Sequence, residues 1–425
     1  MLGEVRIVYR LAAMLGGLCL FISACATPVS LHGTKPGAGV APTQAQVPEV
    51  MGPLAQNDLS ISAETAGAQT FPVPAPILSP VIARIALLLP MQSETLGAAA
   101  AAVRAGFLAA AGQESSDAIR AETVESGDAL PDVLASYGNA SFEFDIVVGP
   151  LSRSGVSAIA QSGAVSKPTI ALTQIDTQDE TKTVLPKKML IIGLSIEDQA
   201  RQMAGLMHAR KPTGTAIILT TPTSWQRRAA KAFAERWLEL GYESELMELD
   251  ISAQGTYLGA NGLIQLQKRI QTEKPPFLFS ALDAVQTRQL RMLIGQDIPV
   301  YGTSQLNPLT MTQWSSADPQ PEMNGVRLVD MPWQLQADHP AVMAYPKPAL
   351  PGETLPSADL ERLYALGIDA FRVAKEVALG QSQFQIDGVT GKLRINLAKE
   401  TGRFERIEMP AVYRGGRVVA VGAAK

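Results

Sequence analysis

Four polar side chains sit where a small ligand could be met. Ser93 follows the apolar run 82–89, Thr173 follows the run 168–172, Asp283 opens an amphipathic segment after the run 277–281, and Tyr301 lies in the run 300–303. In sheets built from β-α units, ligands bind in the crevice beyond the carboxyl ends of the strands, so these positions are candidates for binding. Each has a plainer role as well: Asp283 fits a helix N-cap and Ser93 a turn residue. Trp333, after Met331-Pro332, has the bulk of an interface anchor, and equally that of a residue packed at a lobe crossover. Spacing for catalysis is missing. There is no Gly-x-Ser-x-Gly, no His-Glu-x-x-His and no complete P-loop, and the glycines before Lys392 follow a helix and open a hairpin. His32, His208 and His339 are scattered, and no Cys/His cluster has metal-ligand spacing. These residues point to no enzyme, no metal and no cofactor.

The two cysteines lie within the first 25 residues of 425. Arg6 and Arg10 precede an uncharged run over 11–22, too short to cross a bilayer as a helix. It ends in Ile22-Ser23-Ala24-Cys25, an aliphatic residue and two small ones before a thiol. This resembles a bacterial lipobox, in which Cys25 takes a diacylglyceryl group and cleavage occurs ahead of it. An ordinary signal peptide with a chance cysteine is the other reading. Under the first, 1–24 is a lipoprotein signal peptide, Cys25 is a membrane anchor, and Ala26, in place of a retaining aspartate, implies the outer membrane. Residues 26–80 then hold nine of the 29 prolines and four charged residues, with no apolar periodicity. Such a segment cannot bury enough surface to offset its ordering entropy, so 25–80 is expected to be the lipidated cysteine and a disordered tether.

The net charge of −4 leaves no electrostatic footprint for nucleic acid. From residue 81 onward, apolar runs of strand length (82–89, 118–124, 144–148, 168–172) alternate with helical segments (97–111, 130–137, 154–161). A second series starts at 189–194 and a helix opened by Ser195 with Glu197 and Asp198. It continues through strands at 216–219, 242–249, 277–281 and 300–303, separated by helices at 223–240, 261–272 and 283–294. Arg227, Arg228 and Lys231 form a basic helix face that reads as solvated. A long helix at 357–379 precedes antiparallel strands at 391–396, 403–413 and 417–421. The pattern is α/β, with two doubly wound parallel-sheet lobes. Lobe 1 is expected over about 81–193 and 304–385, and lobe 2 over about 194–303 and 386–425.

Several stretches together resemble one family. They are Ile85-Ala86-Leu87-Leu88-Leu89-Pro90 with Gly97 and Gly106-Phe107, then Val147-Val148-Gly149-Pro150-Leu151, and later Pro299-Val300-Tyr301-Gly302-Thr303-Ser304. Asp330-Met331-Pro332-Trp333, the run from Arg362 to Ala370 and Gly388-Val389-Thr390-Gly391 complete the set. In this order they resemble the periplasmic-binding-protein-like domain of LpoA-type penicillin-binding-protein activators, of the leucine/isoleucine/valine-receptor class. The resemblance covers 81–421 and implies a type I periplasmic-binding-protein fold whose lobes are joined by crossover strands. It implies an outer-membrane lipoprotein that binds and activates a class A penicillin-binding protein and so regulates peptidoglycan synthesis, without catalysis of its own. Enterobacterial activators carry a helical-repeat domain ahead of this one; here the tether stands in that place. The alternative is a substrate-binding lipoprotein of an ABC transporter for amino acids or amides. In such receptors hydroxyls and amides hold the ligand's carboxylate and an acid meets its ammonium, which gives Ser93, Thr173, Asp283 and Tyr301 their roles in the interlobe crevice. Met91-Gln92-Ser93-Glu94 departs from the Ser-Gly-type loop of those receptors. The long tether and Ala26 favour the activator.

Overall fold

A computed structural model describes residues 82–114, 118–176, 184–252, 255–310, 319–348, 357–398 and 403–422. The signal segment, Cys25 and the tether lie outside the described residues. The chain opens with β1 (Ala83–Leu89), α1 (Gly97–Glu114), β2 (Ile119–Glu125), α2 (Leu130–Glu143), β3 (Ile146–Val148), α3 (Arg153–Gln161), β4 (Thr169–Ala171) and β5 (Met189–Ile191). These strands form a parallel sheet in the order β2-β1-β3-β4-β5. Ile85 to Leu89 are all buried, as a central parallel strand covered on both faces requires. Residues of α2 and α3 cover one face, Tyr137 and Ile159 among them.

A second series follows: α4 (Ile196–His208), β6 (Ala216–Thr220), α5 (Ser224–Glu239), β7 (Ser244–Glu248), α6 (Ala260–Glu273), β8 (Leu278–Ser280), α7 (Ala284–Ile294), β9 (Val300–Gly302) and β10 (Arg327–Asp330). The acids expected at the start of α4 are there, and Ser195 caps it by accepting the amide of Asp198 at 3.0 Å. In α5, Phe233 stacks on Phe279 at 3.9 Å and Trp237 on Tyr242 at 4.2 Å, burying the aromatic stripe against the sheet. Its basic face is neutralised locally: Arg227 pairs with Glu248, Arg228 with Glu197 and Lys231 with Glu235.

The chain then returns to the first lobe as α8 (Pro332–Leu335), α9 (Pro340–Met343), α10 (Ala358–Ala378), β11 (Gln383–Asp387), β12 (Lys392–Asn396) and β13 (Arg403–Ile407). It ends in the second lobe as β14 (Met409–Arg414) and β15 (Arg417–Ala420). The second sheet runs β15-β14-β10-β9-β8-β6-β7, antiparallel only where β14 meets its neighbours.

Two expectations are corrected by this pairing. The lobe division is not 304–385 against 386–425. β10 pairs with β9 and β14 in the second sheet, whereas Ile386, Val389, Leu393 and Ile395 join the first lobe's core beside α1 and α10. The single strand expected over 403–413 is two strands in two sheets, broken at Glu408.

The helices α1 and α10 pack closely across the first sheet, with Phe107 edge-on to Phe371 at 5.3 Å. Their backbones meet at glycine. A Cβ on Gly106 would overlap the carbonyl of Tyr364, and one on Gly367 would overlap the carbonyl of Val103. An alanine-rich α1 is the other half of this arrangement, because small side chains let the two helices approach.

Candidate functional site

Strand order reverses beside β1 in the first sheet and beside β6 in the second, so the crevice lies past β1 and β3 on one side and past β6 and β8 on the other. Ser93 stands in the loop after β1, where its hydroxyl accepts the amide of Leu96 at 3.0 Å and meets Thr95. Thr173 follows β4 and is half-buried. Asp283 follows β8 and caps α7. Its carboxylate accepts the amide of Gln286 at 2.8 Å, and the Gln286 side chain accepts the Asp283 amide in return. Burial pushes the Asp283 carboxyl above its usual range, against the pull of the Gln286 and Val285 amides. Sequence reasoning missed the partners of this cap: the Gln226 amide donates to Gln286 at 2.8 Å, and the Thr221 hydroxyl donates to Gln226, all three side chains being buried. The polar groups at the second lobe's reversal point thus satisfy one another. Asp283→Ala is expected to cost about 1 kcal/mol of stability as an ordinary lost cap, read from urea unfolding.

Tyr301 and Trp333 are not in that crevice. Tyr301 is on β9, its ring edge-on to Phe277 at 5.6 Å under α4. Trp333 is only 2% exposed; it sits 5.4 Å from Tyr364 with the Lys347 ammonium 4.4 Å from its ring, in the first lobe's core. Of its two sequence readings, packing at the crossover is the one its surroundings match. Among the described residues no hydrogen bond joins any two of Ser93, Thr173, Asp283, Tyr301 and Trp333.

What the structure does bring together is a buried polar network at the crossovers, which the chain passes after β5, after β10 and between β13 and β14. At the third, Glu408 is 3% exposed and accepts the Gln199 amide on both oxygens, at 3.0 and 2.8 Å. The Gln199 carbonyl accepts the amide and hydroxyl of Ser304, and Gln202 bonds both main-chain groups of Glu408. At the second, Asp330 is wholly buried and accepts Arg362 at 2.7 Å and Asn307 at 2.8 Å. At the first, Arg406 donates to the carbonyls of Ile192 and Gly193 and to the Thr390 hydroxyl, which in turn donates to buried Asp369. All three connections are therefore held by side chains reaching across from other elements. Gln199 and Glu408 stand 209 positions apart, and no local signal connects them.

Burial, with the Asp330 charge behind it, pushes the Glu408 carboxyl up to about 7, against the pull of Gln199, Arg406 and Arg362. A carboxyl raised above its unfolded value keeps its proton longer in the folded state, so its contribution to stability falls as pH rises from about 4.5 to about 7. Glu408→Gln removes this component. Relative to wild type, the variant should gain on the order of 3 kcal/mol between pH 4.5 and pH 8, read from paired urea titrations.

The described residues contain no group of three or more His, Cys, Asp or Glu able to hold a metal ion. No described helix is long and apolar enough to cross a membrane.

A family model described as "LppC putative lipoprotein" matches residues 78–408. The chain belongs to this lipoprotein family. Among curated relatives, the penicillin-binding protein activator LpoA of Klebsiella pneumoniae is 27% identical over 278 residues, 59% of this chain and 38% of that protein. The chain thus matches well under half the length of that relative. Such relatives are named as activators, not enzymes. The C-domain of Haemophilus influenzae LpoA, titled a regulator of PBP1A, has the same fold, with a TM-score of 0.63 at 20% identity over 80% of this chain and 99% of that one. A Chromobacterium violaceum structure titled as a putative branched-chain amino acid ABC transporter is 34% identical over 77% of this chain and 99% of that one, with a TM-score of 0.62. The LppC chain described here therefore has the two-lobed type I periplasmic-binding-protein fold, which the LpoA C-domain shares.

Proposed function

We propose that this LppC protein is an outer-membrane lipoprotein, anchored through Cys25, that binds a class A penicillin-binding protein and activates peptidoglycan synthesis without catalysis of its own. The observation that carries the reading is the family match over 78–408 together with curated relatives named as penicillin-binding protein activators. The crossover network gives it a physical means. A partner that binds one arrangement of the lobes more tightly than another shifts the population, and that preference is reciprocal. Purified protein should retain a class A penicillin-binding protein in pull-down and raise its rate of glycan polymerisation; no effect on any such synthase would sink the activator reading.

The transporter alternative draws on the Chromobacterium violaceum relative. Against it, Ser93 is engaged in a local turn and Asp283 in a helix cap, and Tyr301 and Trp333 lie in cores. A thermal-shift screen of amino acids and amides decides it: a large stabilisation that Asp283→Ala abolishes would favour the receptor.

A further inference from the structure

Across the second sheet, one row of residues runs Tyr301, Arg327, Val412, Val419, each opposite the next in register. Residues in such a row share one face of a sheet. Over β9 and β10 that face is covered by α4, whose Met203 and Met207 pack with Tyr301 and Val329. Past the edge of α4 the face continues over β14 and β15, where Val419 is 41% exposed and Leu206, on the rim of α4, is 36% exposed. A hollow of about 150 Å³ lies at this edge, with Met207, Tyr301 and Val412 in its lining.

Three arginines, Arg210, Arg327 and Arg414, line that hollow. Arg210 and Arg327 approach the Tyr301 ring at 5.8 and 6.0 Å and both donate to its hydroxyl, at 3.4 and 3.5 Å. None of the three is ion-paired among the described residues, whereas Arg227 and Arg228 of α5 each hold a carboxylate. Three arginines lining one small hollow with an apolar floor make a local cationic patch, in a chain of net charge −4, that an anion would neutralise. The planar fork of each guanidinium suits a carboxylate, and the valine and methionine floor suits apolar side chains.

We infer that this groove, between α4 and the β14–β15 hairpin, docks a segment of a protein partner in which acidic residues flank apolar ones. Resting on the function proposed above, that partner is the synthase itself. The edge is also built from the last strands of the chain, directly after the Glu408 crossover, so an occupant here bears on the connection that joins the lobes. The concave hollow and guanidiniums fixed on Tyr301 favour a protein segment over a lipid surface.

The test uses the full chain, a peptide alternating glutamate and leucine, and a class A penicillin-binding protein. Wild type should bind the peptide at about 0.05 M salt and lose it at about 0.5 M. Arg210→Glu/Arg414→Glu changes two exposed side chains. It should keep the wild-type melting temperature and bind peptide and synthase at least about tenfold more weakly, whereas the control Arg227→Glu/Lys231→Glu should bind both as wild type does. Absence of salt-sensitive peptide binding by wild type, or unchanged peptide binding by the double variant, overturns the inference. So does a double variant that loses only its attachment to phosphatidylglycerol–phosphatidylethanolamine vesicles. If wild type binds the peptide but no synthase, the groove stands and the proposed function fails.

Discussion

Gly367→Ala should strip the first lobe of its tightest helix contact. The added methyl would overlap the carbonyl oxygen of Val103 and the amide of Phe107, which are backbone atoms of α1 and cannot rotate aside. To make room, α1 and α10 must separate, loosening the edge-to-face pair of Phe107 and Phe371 and the alanines packed around it. Overpacking of this kind costs about 1–3 kcal/mol where side chains can yield, and a backbone obstacle puts the effect at about 3 kcal/mol or above. Gly106→Ala, facing the Tyr364 carbonyl, should do the same from the other side. Gly138→Ala is the control: it sits in α2, a Cβ there would meet nothing within 4 Å, and the change should stabilise by about 0.5–1 kcal/mol. Urea unfolding of the three variants separates crowding from propensity. If Gly367→Ala and Gly138→Ala shift stability alike, the close approach of the two helices is wrong.

Arg362→Met carries the second large effect. The Asp330 carboxylate has no exposed surface, and among the described residues the hydrogen bonds left to it without Arg362 are those from Asn307 and the amide of Met331. Removing one partner of a buried pair leaves an uncompensated charge and costs about 3–5 kcal/mol. Removing both is gentler, so Arg362→Met/Asp330→Asn should recover most of that loss. A double-mutant cycle should return a coupling of about 2 kcal/mol or more, and a coupling near zero would show that the pair does not hold the crossover.

The sequence made the βα alternation legible because core strands such as β1 and β6 are continuous apolar runs and their helices begin at recognisable caps. Ser195 with Glu197 and Asp198, and Asp283 with Gln286, are local chemistry and can be read as such. The misreadings share one cause, dependence on distant partners. From Arg403 to Tyr413 the sequence stays strand-like apart from Pro410, and nothing local says that the residues on either side of Glu408 enter different sheets. β11 does alternate Gln383, Gln385 and Asp387 with Phe384 and Ile386, but over only five residues, and its partner β12 is what makes it a strand. β10 is four residues long and is defined by pairing with β14, some eighty positions later in the chain. A polar residue at the end of a strand marks a candidate ligand contact locally, but the chain's distant Thr221, Gln226 and Gln286 side chains bond one another at that end of the second sheet. The crossover network was beyond reach for the same reason, since its hydrogen bonds join Gln199 to Glu408 and Ser304.

Three passages between the lobes also set an order of assembly. The first lobe's sheet is complete by Ile191, yet α10, which covers one of its faces, begins at Ala358. The second sheet has most of its strands by Gly302, yet β14 and β15 arrive only with residues 409–420. Neither core can close until nearly the whole chain is available, and contacts of such sequence separation form slowly. For the same reason neither lobe can be cut out as a continuous fragment.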